Sequence, residues 1–238
     1  MKAFFIGEDI NYKSTLVYLK SLMMPTKDDF EVANKIIEEN KTCGFAEIVN
    51  VIKNCICTNN DKTAYIILGN IGSGKSTLIH VLSKDNFFSN NSEFILEDIY
   101  KQIFFSKENI PLKTSYGYAK SFLGIKLVRA ISLKKNIVIE MVPSSEEKIE
   151  LLKCLKYLKY KIVICYIKTG DIEINKKRVK NRIANGADFV SLEKVDSREK
   201  LTCDNLGEVL TMHDELFVFI SDTSSIKLIE HSKKLFKE

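Results

Sequence analysis

The apolar run Ala64-Tyr65-Ile66-Ile67-Leu68 leads without a break into Gly69-Asn70-Ile71-Gly72-Ser73-Gly74-Lys75-Ser76, which meets the pattern G-x-x-x-x-G-K-[ST] at every fixed position. A strand that empties into such a turn, with a helix behind it, ties the loop to the end of a buried sheet and so constrains the fold more than any other stretch. Its chemistry follows from the spacing. Glycines let successive backbone N–H groups turn inward around an anion, the lysine reaches the β and γ oxygens of a triphosphate, and the next hydroxyl is a ligand for Mg²⁺. The expected nucleotide-binding residues are therefore Gly69, Asn70, Ile71, Gly72, Ser73, Gly74, Lys75, Ser76 and Thr77, with Ser76 on the metal. Leu78 to Leu82 continue a helix-compatible run whose N-terminal dipole end faces the same phosphates. The pattern points to ATP or GTP with Mg²⁺ and does not choose between the two nucleotides.

The remaining chain alternates in period. Continuous apolar runs predict strands at 64–68, 93–96, 136–140, 161–167 and 215–220, and helical spacing predicts helices at 75–82, 97–105, 116–133, 145–157, 172–184 and 225–236. Ser144 with Glu147 fits a capping box at the head of 145–157. Steady alternation of strand and helix implies an α/β fold: a parallel sheet of about five strands with helices on both faces. Ahead of it, residues 14–23, 28–39 and 45–56 repeat apolar positions at helical spacing, with Pro25 and Gly44 as breakers and Asn59-Asn60-Asp61 as the joint. The expected organisation is a small helical layer over residues 1–60 packed on a nucleotide-binding domain over 61–238.

With 238 residues the chain can bury one substantial core, and 45% hydrophobic with 28% charged residues is a globular composition. No apolar run reaches bilayer length, and the start MKAFFIGEDINYK has no export pattern, so a soluble cytoplasmic protein is expected. In that setting Cys43, Cys55, Cys57, Cys154, Cys165 and Cys203 are read as thiols, with Cys154 and Cys165 in core patterns and no zinc-type spacing. A net charge of +5 fits a solvated surface better than a nucleic-acid footprint, which usually shows a stronger, clustered excess. Between Lys153 and Arg182, however, ten basic residues face two acids, an excess that suits a phosphate-handling site.

In parallel sheets ligands bind beyond the carboxyl ends of the strands. Asp98 lies just past Phe94-Ile95-Leu96, Glu140 ends Ile137-Val138-Ile139, and the fourth strand runs on into a helix carrying Arg178 and Arg182 four residues apart on one face. Phosphoryl transfer needs a carboxylate to take the acceptor's proton and cations to neutralise charge on the migrating group. Asp98 is the candidate base, against the alternative of a helix N-terminal acid. Glu140 is a candidate for magnesium or substrate contact, against an exposed strand-end carboxylate. Lys75, Arg178 and Arg182 are the candidate electrophilic groups.

From Tyr65 to Asp222 the sequence resembles the zeta-toxin-like P-loop kinases. The glycine-rich loop matches through Thr77. The family's strand ending in Asn-x-Asp corresponds to Leu96-Glu97-Asp98, its Ile-Glu-Thr-Thr to Ile139-Glu140-Met141-Val142, and its Asn-x-x-Arg-Val-x-x-Arg-Val-x-x-Gly-Gly-His-x-Val-Pro to the segment from Asn175 through Arg178, Arg182 and Gly186-Ala187-Asp188 to Ser191, followed by Arg198 and Asn205-Leu206. The resemblance implies a P-loop kinase fold and transfer of the γ-phosphate to a small-molecule hydroxyl, in the best-known members that of UDP-N-acetylglucosamine. It also implies catalytic Lys75, Asp98, Arg178 and Arg182, substrate contacts at Glu140 and Arg198, and an antitoxin protein that blocks the nucleotide site. A nucleoside, nucleotide or polynucleotide kinase remains an alternative because the string from Gly69 to Thr77 also resembles that of deoxynucleoside kinases, and an ATP-binding regulator without turnover remains one because Leu96, Met141 and Asp188 depart from the family pattern.

Overall fold

The computed structural model describes residues 3–5, 12–42, 44–53, 62–107 and 109–234. In chain order these form β1 (Ala3–Phe5), α1 (Tyr12–Met23), α2 (Lys27–Glu38), α3 (Phe45–Lys53), β2 (Thr63–Leu68), α4 (Lys75–Lys84), β3 (Ser92–Ile95), α5 (Glu97–Tyr100) continued by a π-helical turn (Lys101–Phe105), α6 (Leu112–Ser132), β4 (Asn136–Met141), α7 (Glu146–Tyr157), β5 (Lys161–Thr169), α8 (Ile172–Ala184), α9 (Leu192–Thr211), β6 (Glu215–Ser221) and β7 (Ser225–Lys233). Among the described residues one sheet runs in the order β1-β7-β6-β5-β2-β4-β3. The five expected strands, β3, β4, β2, β5 and β6, are parallel. From β2 the chain crosses over β4 to β3 at one edge, while β5 pairs with the other side of β2, so the sheet changes direction of growth at the strand that carries the glycine-rich loop.

Period-two alternation sorts the strand side chains into two cores. Ala64, Ile66, Leu68, Ile137, Ile139, Ile162 and Ile164 join residues of α2, α3, α6 and α7 on one face, among them Ile36, Ile52, Phe122 and Leu152. Ile67, Val138, Cys165 and Ile167 join Leu19 of α1 with Leu78, Ile79 and Leu82 of α4 on the other. The N-terminal helices thus share both cores with the sheet. Cys154 and Cys165 are buried thiols, as their patterns suggest. Cys43, Cys55, Cys57 and the joint Asn59-Asn60-Asp61 lie outside the described residues. Among the described residues no helix is long and apolar enough to cross a membrane.

Three expectations are corrected. The helix read at 225–236 is the strand β7, antiparallel to β6, and β1 pairs antiparallel with β7. Asp222 Oδ1 accepts from the backbone N–H groups of Ser224 (2.8 Å) and Ser225 (2.7 Å), closing a tight turn. Nothing but Asp222-Thr223-Ser224 separates the strands, and a parallel crossover needs a dozen or more residues. The second is α9, a helix that the apolar pattern did not reveal. It buries only Val195, Thr202 and Val209, a heptad-spaced line too narrow to register as a helical face, and its head is capped by Ser191 Oγ accepting from the Lys194 N–H (3.3 Å). The third concerns α7, whose N-cap position is Ser145, not Ser144, and where no side-chain capping hydrogen bond forms. Ser145 holds the extended φ/ψ of an N-cap, and Ser144 Oγ donates to the Val142 carbonyl.

Phe122 anchors the larger core: it is buried, with ring centroids of Phe104 at 4.6 Å and Tyr100 at 4.9 Å. Phe122→Ala should lower unfolding free energy by about 3–5 kcal/mol, read from denaturant midpoints at constant m-value.

Candidate active site

The loop from Gly69 to Gly74 turns at the C-terminal end of β2, with Gly72 at φ 78° and Gly74 at φ 102°. At Gly72 the requirement is double: φ is left-handed, and a Cβ would lie 2.6 Å from the Asn175 carbonyl oxygen. Asn70 secures the near side, its Nδ2 donating to the Val195 carbonyl (3.2 Å) and its Oδ1 accepting from the Ile71 N–H (2.7 Å). Gly74 is the N-cap of α4 and brings no capping side chain, so the first-turn N–H groups face the loop interior without a side-chain acceptor. Ser73 Oγ is buried with no hydrogen-bond partner among the described residues. Ile71 and Thr77 flank the turn half-buried.

Lys75 is buried and its amine donates to the Asn70 carbonyl (2.9 Å), 3.8 Å from Glu140 Oε1. Ser76 Oγ donates to Glu140 Oε2 at 3.0 Å. Burial lowers the Lys75 pKa and raises that of Glu140, while their attraction opposes both shifts, and Asp98 and Arg182 act on each of them. Thus four of the groups singled out in the sequence, Lys75, Asp98, Glu140 and Arg182, share one electrostatic neighbourhood. Asp98, in the first turn of α5, is exposed.

The two arginines of α8 part company. Arg178 Nη1 donates to the carbonyls of Gly72 (3.3 Å) and Ser73 (3.2 Å), and Nη2 donates to Ser221 Oγ (2.9 Å) and to the Asp222 carbonyl. It braces the outside of the loop against the β6–β7 turn. Arg182 lies half-buried with its guanidinium 4.8 Å from the centroid of the Tyr12 ring. Burial works against its charge, but Asp98, Tyr12 and Glu140 outweigh that and raise its pKa.

On the other side of Asp98 lies a polar cluster that the sequence did not announce. Lys101, buried in the π-helical turn, reaches Asp188 Oδ2 at 2.5 Å, and the Tyr116 hydroxyl of α6 donates to the same oxygen at 3.0 Å. Asp188 stands where the resemblance expects histidine, which was the available signal; its partners come from distant segments. Burial, then the charges of Asp98 and Asp188, raise the Tyr116 pKa, keeping it a neutral donor. Arg198 Nη1 donates to Ser144 Oγ, and Asn205 Nδ2 to the Pro143 carbonyl (3.0 Å), pinning α9 to the loop after β4. Lys148 of α7 donates to the Val142 carbonyl at 2.9 Å. Asn175, quoted in the sequence only as part of a motif, is buried behind Gly72 and accepts from Thr169 Oγ1 at 2.7 Å.

Mg²⁺ in nucleotide sites takes one or two protein oxygens, with phosphate oxygens and water completing the shell. The Ser76 hydroxyl and Glu140 carboxylate are a hard oxygen pair of that kind, already in contact. The donor set fits the ion.

No protein-family model matches this sequence, and no curated protein does. Solved structures match in fold. A chain of the AvrRxo1-ORF1:AvrRxo1-ORF2 complex with sulphate ions superposes with a TM-score of 0.57 at 16% identity, covering 94% of this chain and 75% of that one. The AvrRxo1 complex with ATP gives 0.57 at 16%, covering 93% and 72%. A chain of the PezAT chromosomal toxin-antitoxin system of Streptococcus pneumoniae gives 0.51 at 19% identity, covering 88% and 82%. The likeness is one of fold, and it meets the expectation of an α/β domain with a parallel sheet covered by helices.

Burial pushes Lys148 down to about 8; Glu97 opposes the fall, and Arg198, Lys75 and Lys120 add to it. Amine acylation followed across pH by peptide mass spectrometry should therefore show a half-transition near 8 at Lys148, below the ~10.4 of an ordinary lysine. Between those values the native state has shed a proton that the unfolded chain keeps, so this lysine makes stability rise with pH across that window.

Proposed function

We propose that this chain is a zeta-toxin-like P-loop kinase that transfers the γ-phosphate of ATP or GTP to a hydroxyl of a small molecule. The observation that carries the reading is the convergence of Lys75, Glu140, Asp98 and Arg182 at the mouth of the glycine-rich loop. In the proposed reaction the acceptor oxygen bonds to the γ-phosphorus as the bond from phosphorus to the β,γ-bridging oxygen breaks, and the acceptor's proton passes to Asp98. Lys75 holds the β and γ oxygens, and Arg182 neutralises charge on the migrating group. Arg178 keeps the loop in shape from outside. Ser76 and Glu140 would hold Mg²⁺, which when bound screens the phosphate charge.

A hydroxyl of an amino-sugar nucleotide is the first acceptor to test, with Arg198 among its contacts; nucleosides and oligonucleotide 5′-hydroxyls form the comparison set. The PezAT likeness supports an antitoxin-like protein as a partner, and a soluble, cytoplasmic enzyme is the setting proposed for it.

Purified protein with MgATP and the acceptor panel should yield phosphorylated product. Asp98→Asn should cut kcat by about 10²–10⁴-fold while leaving nucleotide affinity by calorimetry unchanged. Wild-type turnover in that variant removes Asp98 as the base. Nucleotide binding without transfer to any acceptor would favour the regulator reading instead.

A further inference from the structure

We infer that Tyr12, the first residue of α1, is a positioning residue for Arg182, so that the N-terminal helical layer takes part in assembling the active site. The inference rests on the reading of Arg182 as the guanidinium that meets the transferring phosphate. The two arginines of α8 are held differently. Arg178 is spent on carbonyl and hydroxyl oxygens, whereas Arg182 Nε is buried with no hydrogen-bond partner among the described residues, and its charged end lies over the Tyr12 ring at 4.8 Å.

A long, flexible side chain stabilises a transition state only if its charge is in place beforehand. The groups that act most strongly on Arg182 besides Tyr12 are the carboxylates Asp98 and Glu140. A guanidinium held by those carboxylates alone would be drawn into ion pairs with the residues proposed to take a proton and to hold the metal. An aromatic face attracts a cation without supplying a countercharge, so it fixes the group and leaves its charge available.

The tyrosine is itself fixed. One turn further along α1, Thr15 Oγ1 lies 3.4 Å from His80 Nδ1, Tyr18 stacks on the His80 ring at 4.1 Å and 19°, and Leu19 is fully buried. His80 belongs to α4, the helix that begins at Lys75, and burial with the nearby Lys84 charge keeps its pKa low and the ring neutral in this stack. Helix α1 therefore touches both the lysine helix and the arginine helix. This gives residues 1–60, proposed as a layer on the domain 61–238, a part in catalysis as well as in packing.

The test uses the full chain with Tyr12→Phe, Tyr12→Ala and Arg182→Ala, and two readouts. With the best acceptor, Tyr12→Ala should lower kcat about tenfold with the KM for ATP within about twofold, while Tyr12→Phe, which keeps the ring face, stays within about threefold of wild type. Independently of turnover, modification of Arg182 by p-hydroxyphenylglyoxal, followed by peptide mass spectrometry, should accelerate in Tyr12→Ala and not in Tyr12→Phe. Unchanged Arg182 reactivity in Tyr12→Ala overturns the inference, as does wild-type kcat in that variant when Arg182→Ala has lost activity. If Arg182→Ala transfers phosphate normally, the role given to Arg182 under the proposed function fails, while the labelling still decides whether Tyr12 holds it.

Discussion

A lysine ammonium buried at the crest of a parallel sheet dictates what must lie next to it. An unpaired charge in that position is unfavourable by several kcal/mol, so a partner must come from an adjacent strand. Glu140 is that partner, and it reaches Lys75 and Ser76 because β4 lies beside β2 in a register that pairs Ile67 with Glu140 and Leu68 with Met141. A shift of one residue would turn Glu140 to the opposite face and insert Met141 or Ile139 toward the other core. Strand register and site chemistry are therefore the same fact. The same carboxylate that makes the buried lysine tolerable also accepts from the Ser76 hydroxyl, so one acidic residue serves both charge balance and loop placement.

Helix α8 acts as the rack behind this arrangement. Asp171 caps it by accepting from the Glu173 N–H (2.9 Å), Asn175 packs its backbone behind Gly72, Val179 enters the core, and Arg178 and Arg182 extend from the same side. Positions three and four apart on a helix share a face, so a single rigid element reaches the loop's rear, its outer carbonyls and the cleft. This also explains why the two arginines cannot be exchanged. Arg178 is fixed by oxygen acceptors of the loop and the β6–β7 turn, and Arg182, one turn on, is beyond them and meets the acidic groups and Tyr12 instead.

What could be read from the sequence were the features whose signals are local. The parallel strands are continuous apolar runs between turn residues, and the glycine-rich loop has a fixed spacing, so β2 to β6 and residues 69–77 were legible. At 225–236, Ile226, Leu228 and Ile229 fit either period, and the decision was made by the Asp222 turn, whose hydrogen bonds force an antiparallel return. Helix α9 escaped because a helix contacting its neighbours along one heptad-spaced line needs few apolar residues. The placements of Tyr12 on Arg182 and of Lys101 on Asp188 are purely tertiary: each joins segments more than eighty positions apart, for which a single sequence holds no register.

The departures from the zeta-toxin pattern can be weighed by where they fall. Leu96 is 1% exposed and Met141 5%, each packed into one of the two cores, so neither lines the cleft. Asp188 is different in kind: its Oδ2 oxygen is engaged by a buried lysine and a tyrosine hydroxyl, which ties the α8–α9 loop to the π-helical turn and α6. A carboxylate so engaged fixes the loop. Burial and then the neighbouring Asp98 charge raise the pKa of Glu97, opposed by Lys120, Lys148 and Lys194, contributed by α6, α7 and α9. The charged groups around Glu97 and Asp188 are thus supplied by helices and the π-helical turn, whereas Lys75, Ser76 and Glu140 meet at the ends of β2 and β4.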